Sequence, residues 1–188
     1  VAAGRRQQLA RELEDRVFFE RRAYLLLPGE GQRPAYDDYV ISHRKRAAEM
    51  EPALGFAIPE VGRPYPRSSV PAQCLFAAAV EEHPDRMDAL ENSLFRALFV
   101  DLSDISSPEV LAECARKAEI ANPEAFVERA LGDDSFRERV FAEHEEALGE
   151  GVRGIPALLV PDYAPITGAV PFEALRRAFL HLVEEHPA

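Results

Sequence analysis

Gly151-Val152-Arg153-Gly154-Ile155-Pro156-Ala157-Leu158-Leu159-Val160 is the stretch on which the reading of this chain turns. A charged helical segment stops at Gly149 and Gly151, a six-residue turn ends on an X-Pro bond, and a short aliphatic run follows. A proline just ahead of a strand cannot donate to the ladder, so it belongs at the first position or on an edge. X-Pro bonds are also those in which the cis form costs little, about 0.5–1 kcal/mol. The hexapeptide alone leaves two readings open: a shaped backbone ledge, or a plain helix-to-strand turn with a trans proline. Beyond it, residues 161–165 break the run and Ile166-Thr167-Gly168 reads as a second short strand. Pro171 then launches a last helix with Phe172, Leu175, Phe179, Leu182 and Val183 on one stripe.

Working back toward the start, residues 7–14 read as a helix with Leu9, Ala10 and Leu13 on one face. Residues 17–27, rich in aromatic and aliphatic side chains and stopped by Pro28-Gly29, read as a largely buried strand. A helix leading into such a strand is half of a βαβ unit, whose earlier parallel strand would lie before Val1. Residues 29–34 form a loop, 36–50 a polar helix, and 53–66, with their prolines and glycines, an irregular crossing segment. Residues 69–82 form a helix that is apolar nearly all round, and so buried on most sides. Further helices open at Asp85, at Ser106-Ser107-Pro108-Glu109, at Asn122-Pro123-Glu124 and at Asp133 or Asp134. The expected sheet joins 17–27, 157–160 and the region 165–168, with the helices between inserted into it.

A length of 188 residues suits one domain with an insertion. The composition is that of a soluble globular protein, and no apolar run approaches the ~18 residues of a membrane span. The formal net charge of −11 argues against a nucleic-acid or anionic-membrane partner, since the basic pairs and triplets are short and scattered. Cys74 and Cys114 are too few and too far apart for a disulfide framework or a zinc site. No signal peptide is read at the start, and a cytoplasmic location is expected. The chain opens at Val1 inside what reads as a helix, so an upstream piece is expected.

Several matches in the right order carry a family resemblance. Gly151-Val152-Arg153-Gly154-Ile155-Pro156 is similar to the "GVxGVP" ledge of the DsbA-like branch of the thioredoxin fold, in which the proline is cis. Ile166-Thr167-Gly168-Ala169-Val170-Pro171, then Phe172-Glu173-Ala174-Leu175, resembles that branch's "I-S-G-A-Q-P-x-x-x-L" ending. Leu94-Phe95-Arg96-Ala97-Leu98-Phe99 with Asp104-Ile105-Ser106 and Val110-Leu111 looks like its "LFxAyF…DIsd…vL" stretch, and residues 14–28 like its second strand. The likeness is particularly to the cytosolic FrnE-type and 2-hydroxychromene-2-carboxylate isomerase-like members.

The resemblance implies an α/β, thioredoxin-like fold with a large helical insertion and its first strand missing from this chain. Residues 1–30 and 150–188 would form the thioredoxin-like domain, and 34–149 the inserted helical one. It also implies thiol–disulfide exchange by thiolate attack, with a protein or small-molecule thiol or disulfide as partner and no cofactor. Gly154, Ile155 and Pro156 would bind substrate by turning backbone groups outward to an extended peptide. The family's Cys-x-x-Cys, or a serine in the isomerase-like branch, would fall at or before Val1; none occurs in the 188 residues, so the motif is expected upstream or lost. The alternatives are a glutathione-dependent isomerase or transferase of the same fold, or a non-catalytic binding module.

The other candidates read as structural. Cys74 and Cys114 lie on apolar stripes, where a thiol behaves as a small hydrophobe. His43, His83, His144, His181 and His186 share no ligand spacing and read as surface groups. The carboxylates of 138–150 read as a solvated helix face, and Ser68 and Ser69 as caps of the apolar helix rather than substrate contacts.

Overall fold

The computed structural model describes residues 2–29 and 35–185. The expected loop 29–34 therefore lies almost wholly outside the described residues, as does His186. The chain forms two compact units, one of residues 1–22 and 145–188 and the other of residues 23–144. The sequence had suggested divisions at 30/34 and 149/150.

In the second unit, local signals set the helix starts. α2 (Asp38–Met50) opens on Asp37, whose side chain accepts from the Val40 N–H at 2.8 Å. α3 (Val70–Glu82) opens on Val70-Pro71, and α4 (Met87–Phe99) follows after His83-Pro84. α5 (Pro108–Lys117) pairs a Ser107 cap with proline in its first turn. α6 (Pro123–Gly132) starts behind Asn122, which takes a left-handed conformation at φ +49°. α7 (Asp134–Gly149) runs on past the division between the units. The core is centred on α3, whose Val70, Ala72, Cys74, Leu75, Ala77, Ala78 and Ala79 are all buried. Leu90, Leu111, Ala115, Phe126, Val127 and Val140 close round it from the neighbouring helices. Small residues on so many sides of α3 let those helices approach it closely, which the all-round apolar pattern anticipates.

The first unit contains α1 (Ala2–Leu13), the end of α7, β1 (Ala157–Leu158), β2 (Ile166–Thr167) and α8 (Phe172–Glu185). β1 and β2 pair antiparallel, Ala157 opposite Thr167 and Leu158 opposite Ile166. Leu9 and Leu13 of α1 and Phe179 of α8 form its core, with Val17, Phe19, Leu158, Val160, Phe172 and Leu180 packed against them. Outside that core an ion pair, Arg176 to Glu12 at 2.7 Å, also joins α1 to α8.

The strand expected over 17–27 is not formed, and among the described residues no ladder joins this segment to β1. Nor is it buried on both faces. Its exposure alternates: Val17 and Phe19 pack inward in the first unit, while Phe18 between them is 90% exposed. In the second unit Ala23 and Leu25 are buried and Leu26 is 56% exposed. The backbone finds other partners there. The N–H groups of Ala23, Leu25 and Leu27, all on one edge of an extended chain, donate to Glu143 Oε2 (2.6 Å), His144 Nδ1 (3.2 Å) and Ser69 Oγ (3.4 Å). Side chains of α7 and of the residue before α3 thus satisfy an edge that a neighbouring strand would otherwise pair.

Candidate functional site

The site lies in the first unit and begins where α7 ends. Gly151, at φ +84°, reverses the chain without a Cβ penalty. Its N–H donates to the Leu148 carbonyl at 3.1 Å, and the N–H of buried Val152 donates to that of Ala147 at 2.9 Å. Arg153 fixes the turn from outside by donating to the carbonyls of Leu148 (2.7 Å) and Val152 (3.1 Å). The chain then passes through Gly154 and Ile155 to Pro156, and the Ile155–Pro156 peptide is cis.

Pro156 extends the hairpin register by one pair. Its carbonyl accepts from the Gly168 N–H at 2.8 Å, and having no N–H it cannot return the bond. The Gly168 carbonyl is used by the Val170 N–H at 2.9 Å instead, in a turn that Gly168 makes at φ +84°. Because bonded and non-bonded pairs alternate along an antiparallel ladder, Ile155 and Ala157 turn their backbone groups away from β2. Ile155 is 48% exposed, and among the described residues neither its N–H nor its C=O makes a hydrogen bond. An exposed residue with free backbone groups beside a hairpin can take up an extended peptide as an added strand.

α1 is tied to this ledge through the residues after β2. Arg5 donates to the carbonyls of Ala169 (3.0 Å) and Val170 (2.6 Å), so the first turns of α1 hold the loop whose Gly168 holds Pro156. Sequence reasoning passed over Arg5, which stood only as half of a scattered basic pair; a lone arginine leaves no signal of the carbonyls it will reach.

The remaining candidates take other places. Cys74 and Cys114 are free and buried within the helical core, and burial pushes both thiols above their ordinary range. Ser68 Oγ accepts from the Val70 N–H (3.1 Å) and donates to the Leu27 carbonyl (3.1 Å), which is a capping role. Ser69 instead holds the Leu27 N–H. His43, on exposed α2, contacts the Tyr39 carbonyl, and His181 pairs with Glu185. His144 does not lie on the surface as expected: it is buried, because the extended segment 23–27 covers it. Glu143 likewise departs from the solvated face, its side chain only 13% exposed between the Ala23 amide and Arg139. Among the described residues no group of three or more His, Cys, Asp or Glu gathers as metal ligands, and no helix is long and apolar enough to cross a membrane.

The family model of the DSBA-like thioredoxin domain matches residues 7–180. The chain belongs to that family. The DSBA-like match takes in both units, the hairpin and most of α8, and it stands although 17–27 forms no ladder with β1. Among solved structures, the chain is similar to one described as "a putative protein disulfide isomerase from Nitrosomonas europaea". The TM-score is 0.75 and the identity 19%, over 98% of this chain and 90% of that one. At that identity the likeness speaks to the fold, which is thioredoxin-like, largely helical, with a two-stranded hairpin among the described residues. No curated protein matches the sequence.

Proposed function

We propose that this DSBA-like protein serves thiol–disulfide exchange, with Gly154, Ile155 and Pro156 as the ledge on which an extended substrate lies. The observation that carries the reading is Ile155: half exposed, its N–H and C=O unbonded among the described residues, at the mouth of a hairpin braced by Arg5. In this reading residues 1–22 and 145–188 are the thioredoxin-like domain and the helices between are its insertion. Its motifs resemble those of the FrnE-type and 2-hydroxychromene-2-carboxylate isomerase-like members, and two free, buried cysteines fit a reducing compartment such as the cytoplasm.

Exchange runs by attack of a thiolate on one sulfur of the substrate disulfide. The substrate S–S bond breaks, its other sulfur leaves as thiolate, and a mixed disulfide forms; a second thiolate then releases the product. Neither buried thiol of this chain suits the attack. A reacting thiolate would belong at the head of α1, where the helix N-terminus favours the anion, with its Cys-x-x-Cys either adjoining Val1 or lost. A strand ahead of α1 would also give a partner to the edge of β1 that is unpaired among the described residues.

Two measurements test this. Amide exchange at Ile155 and Ala157 should slow when a cystine-containing peptide is added in excess; unchanged exchange would remove the ledge. The coding sequence adjoining Val1 is then read and the extended protein assayed. Cys-x-x-Cys with insulin reduction supports the proposal. A serine there with glutathione binding turns it to the isomerase or transferase reading, and neither residue leaves a binding module.

A further inference from the structure

His144, the last residue of α7 within the second unit, uses Nδ1 to accept the Leu25 N–H at 3.2 Å and is 8% exposed. A backbone amide can only donate. Nδ1 must therefore carry the lone pair and Nε2 the proton, so the geometry selects one neutral tautomer. Protonating Nδ1 would convert the acceptor to a donor and set N–H against N–H in a buried place.

We propose that the His144–Leu25 contact is a proton-operated latch, closed when the imidazole is neutral and opened when it becomes an imidazolium. Both partners lie in the second unit, Leu25 near its start and His144 at its end. Tyr24 meets the imidazole edge-on at 4.9 Å between ring centroids. On α7, the neighbouring Glu143 accepts the Ala23 N–H and pairs with Arg139, which reaches Glu81 of α3. The two oxygens of Glu143 are thus directed at the Ala23 amide and the Arg139 guanidinium. Beside the latch, the Ala23 bond to a carboxylate survives histidine protonation and the Leu27 bond to Ser69 is indifferent to pH, so opening is confined to Leu25.

The experiment is an NMR titration of the whole chain, following imidazole nitrogen shifts and the hydrogen exchange of the Leu25 amide relative to that of Leu27. The neutral His144 should show the Nε2–H tautomer. As it protonates, Leu25 protection, corrected for intrinsic exchange, should fall about tenfold, with the same midpoint and with Leu27 unchanged. His144→Asn, which keeps an acceptor near the Nδ1 position but cannot be protonated, should hold Leu25 protected across that range. A Nδ1–H tautomer in the wild-type protein, or Leu25 protection constant through the His144 titration, would overturn the proposal. So would an equal acid loss in His144→Asn.

Discussion

Arg44 donates to the hydroxyl of Tyr36 at 2.9 Å from a position only 4% exposed, with no carboxylate bonded to it among the described residues. Its charge is held instead by the carbonyls of Ala57, Leu98 and Phe99 and by the faces of Tyr36 and Phe99, 5.0 and 4.9 Å from the guanidinium carbon. Two of those carbonyls belong to the last turn of α4, where a helix presents its negative end. The arrangement pins α2 and the irregular segment after it to α4. Burial pushes the phenols of Tyr36 and Tyr65 above their ordinary range, and Arg44 opposes the shift in both.

A planar fork makes this set of bonds, and an ammonium cannot. Arg44→Lys should therefore fail to rescue, costing about 2–4 kcal/mol, much as Arg44→Met does. Urea unfolding reads it as a lower midpoint at unchanged slope. A lysine variant within about 0.5 kcal/mol of wild type would show that charge alone suffices.

Arg5 supplies the second prediction. Arg5→Met removes two charge-assisted bonds from the Ala169 and Val170 carbonyls, a local loss of about 1–3 kcal/mol. Exchange at the Gly168 and Val170 amides should quicken, while amides in the α3 core stay as slow as before. Equal acceleration throughout would mean general destabilisation, and none would mean that the ledge stands without Arg5.

The buried thiols give a pH dependence. Folding raises the pKa of Cys74 and Cys114, chiefly by burial, so the unfolded chain loses these protons first as pH rises. Their contribution is fully present below the unfolded thiol pKa, about 8.5, and is lost as pH climbs through the folded values. Urea midpoints should fall along this alkaline limb, and the limb should flatten above about pH 8.5 in Cys74→Ala/Cys114→Ala. The native thiols should label slowly until the chain unfolds. Fast labelling of either one, with turnover lost in the corresponding alanine variant, would move the active site into the helical unit.

The helix starts were legible in the sequence because their causes are local. Pro108 and Pro123 enter first turns that need no amide donor, and Asp37 and Ser107 reach an N–H three residues on. The turn into β1 was legible for the same reason, since Gly151 admits the positive φ of the reversal and Pro156 fixes its own φ. Residues 17–22, three apolar then three charged, carry no alternation in the sequence, and composition over 17–27 favoured a largely buried strand; Phe18 shows one face open.

Whether a polar side chain is surface or core was not local. Glu143 and His144 look like helix-face residues until segment 23–27 covers them, its amides 120 and 119 positions away. Arg44 and Arg5 were in the same position: each is one cation among many in the sequence, and becomes particular only by the carbonyls brought to it, up to 165 positions distant for Arg5. A buried charge or amide must be satisfied, but which distant group satisfies it depends on how the helices pack. The sequence therefore determined the helices, the hairpin and the family pattern, while only the tertiary structure decided which backbone edges were closed by side chains and which stayed open.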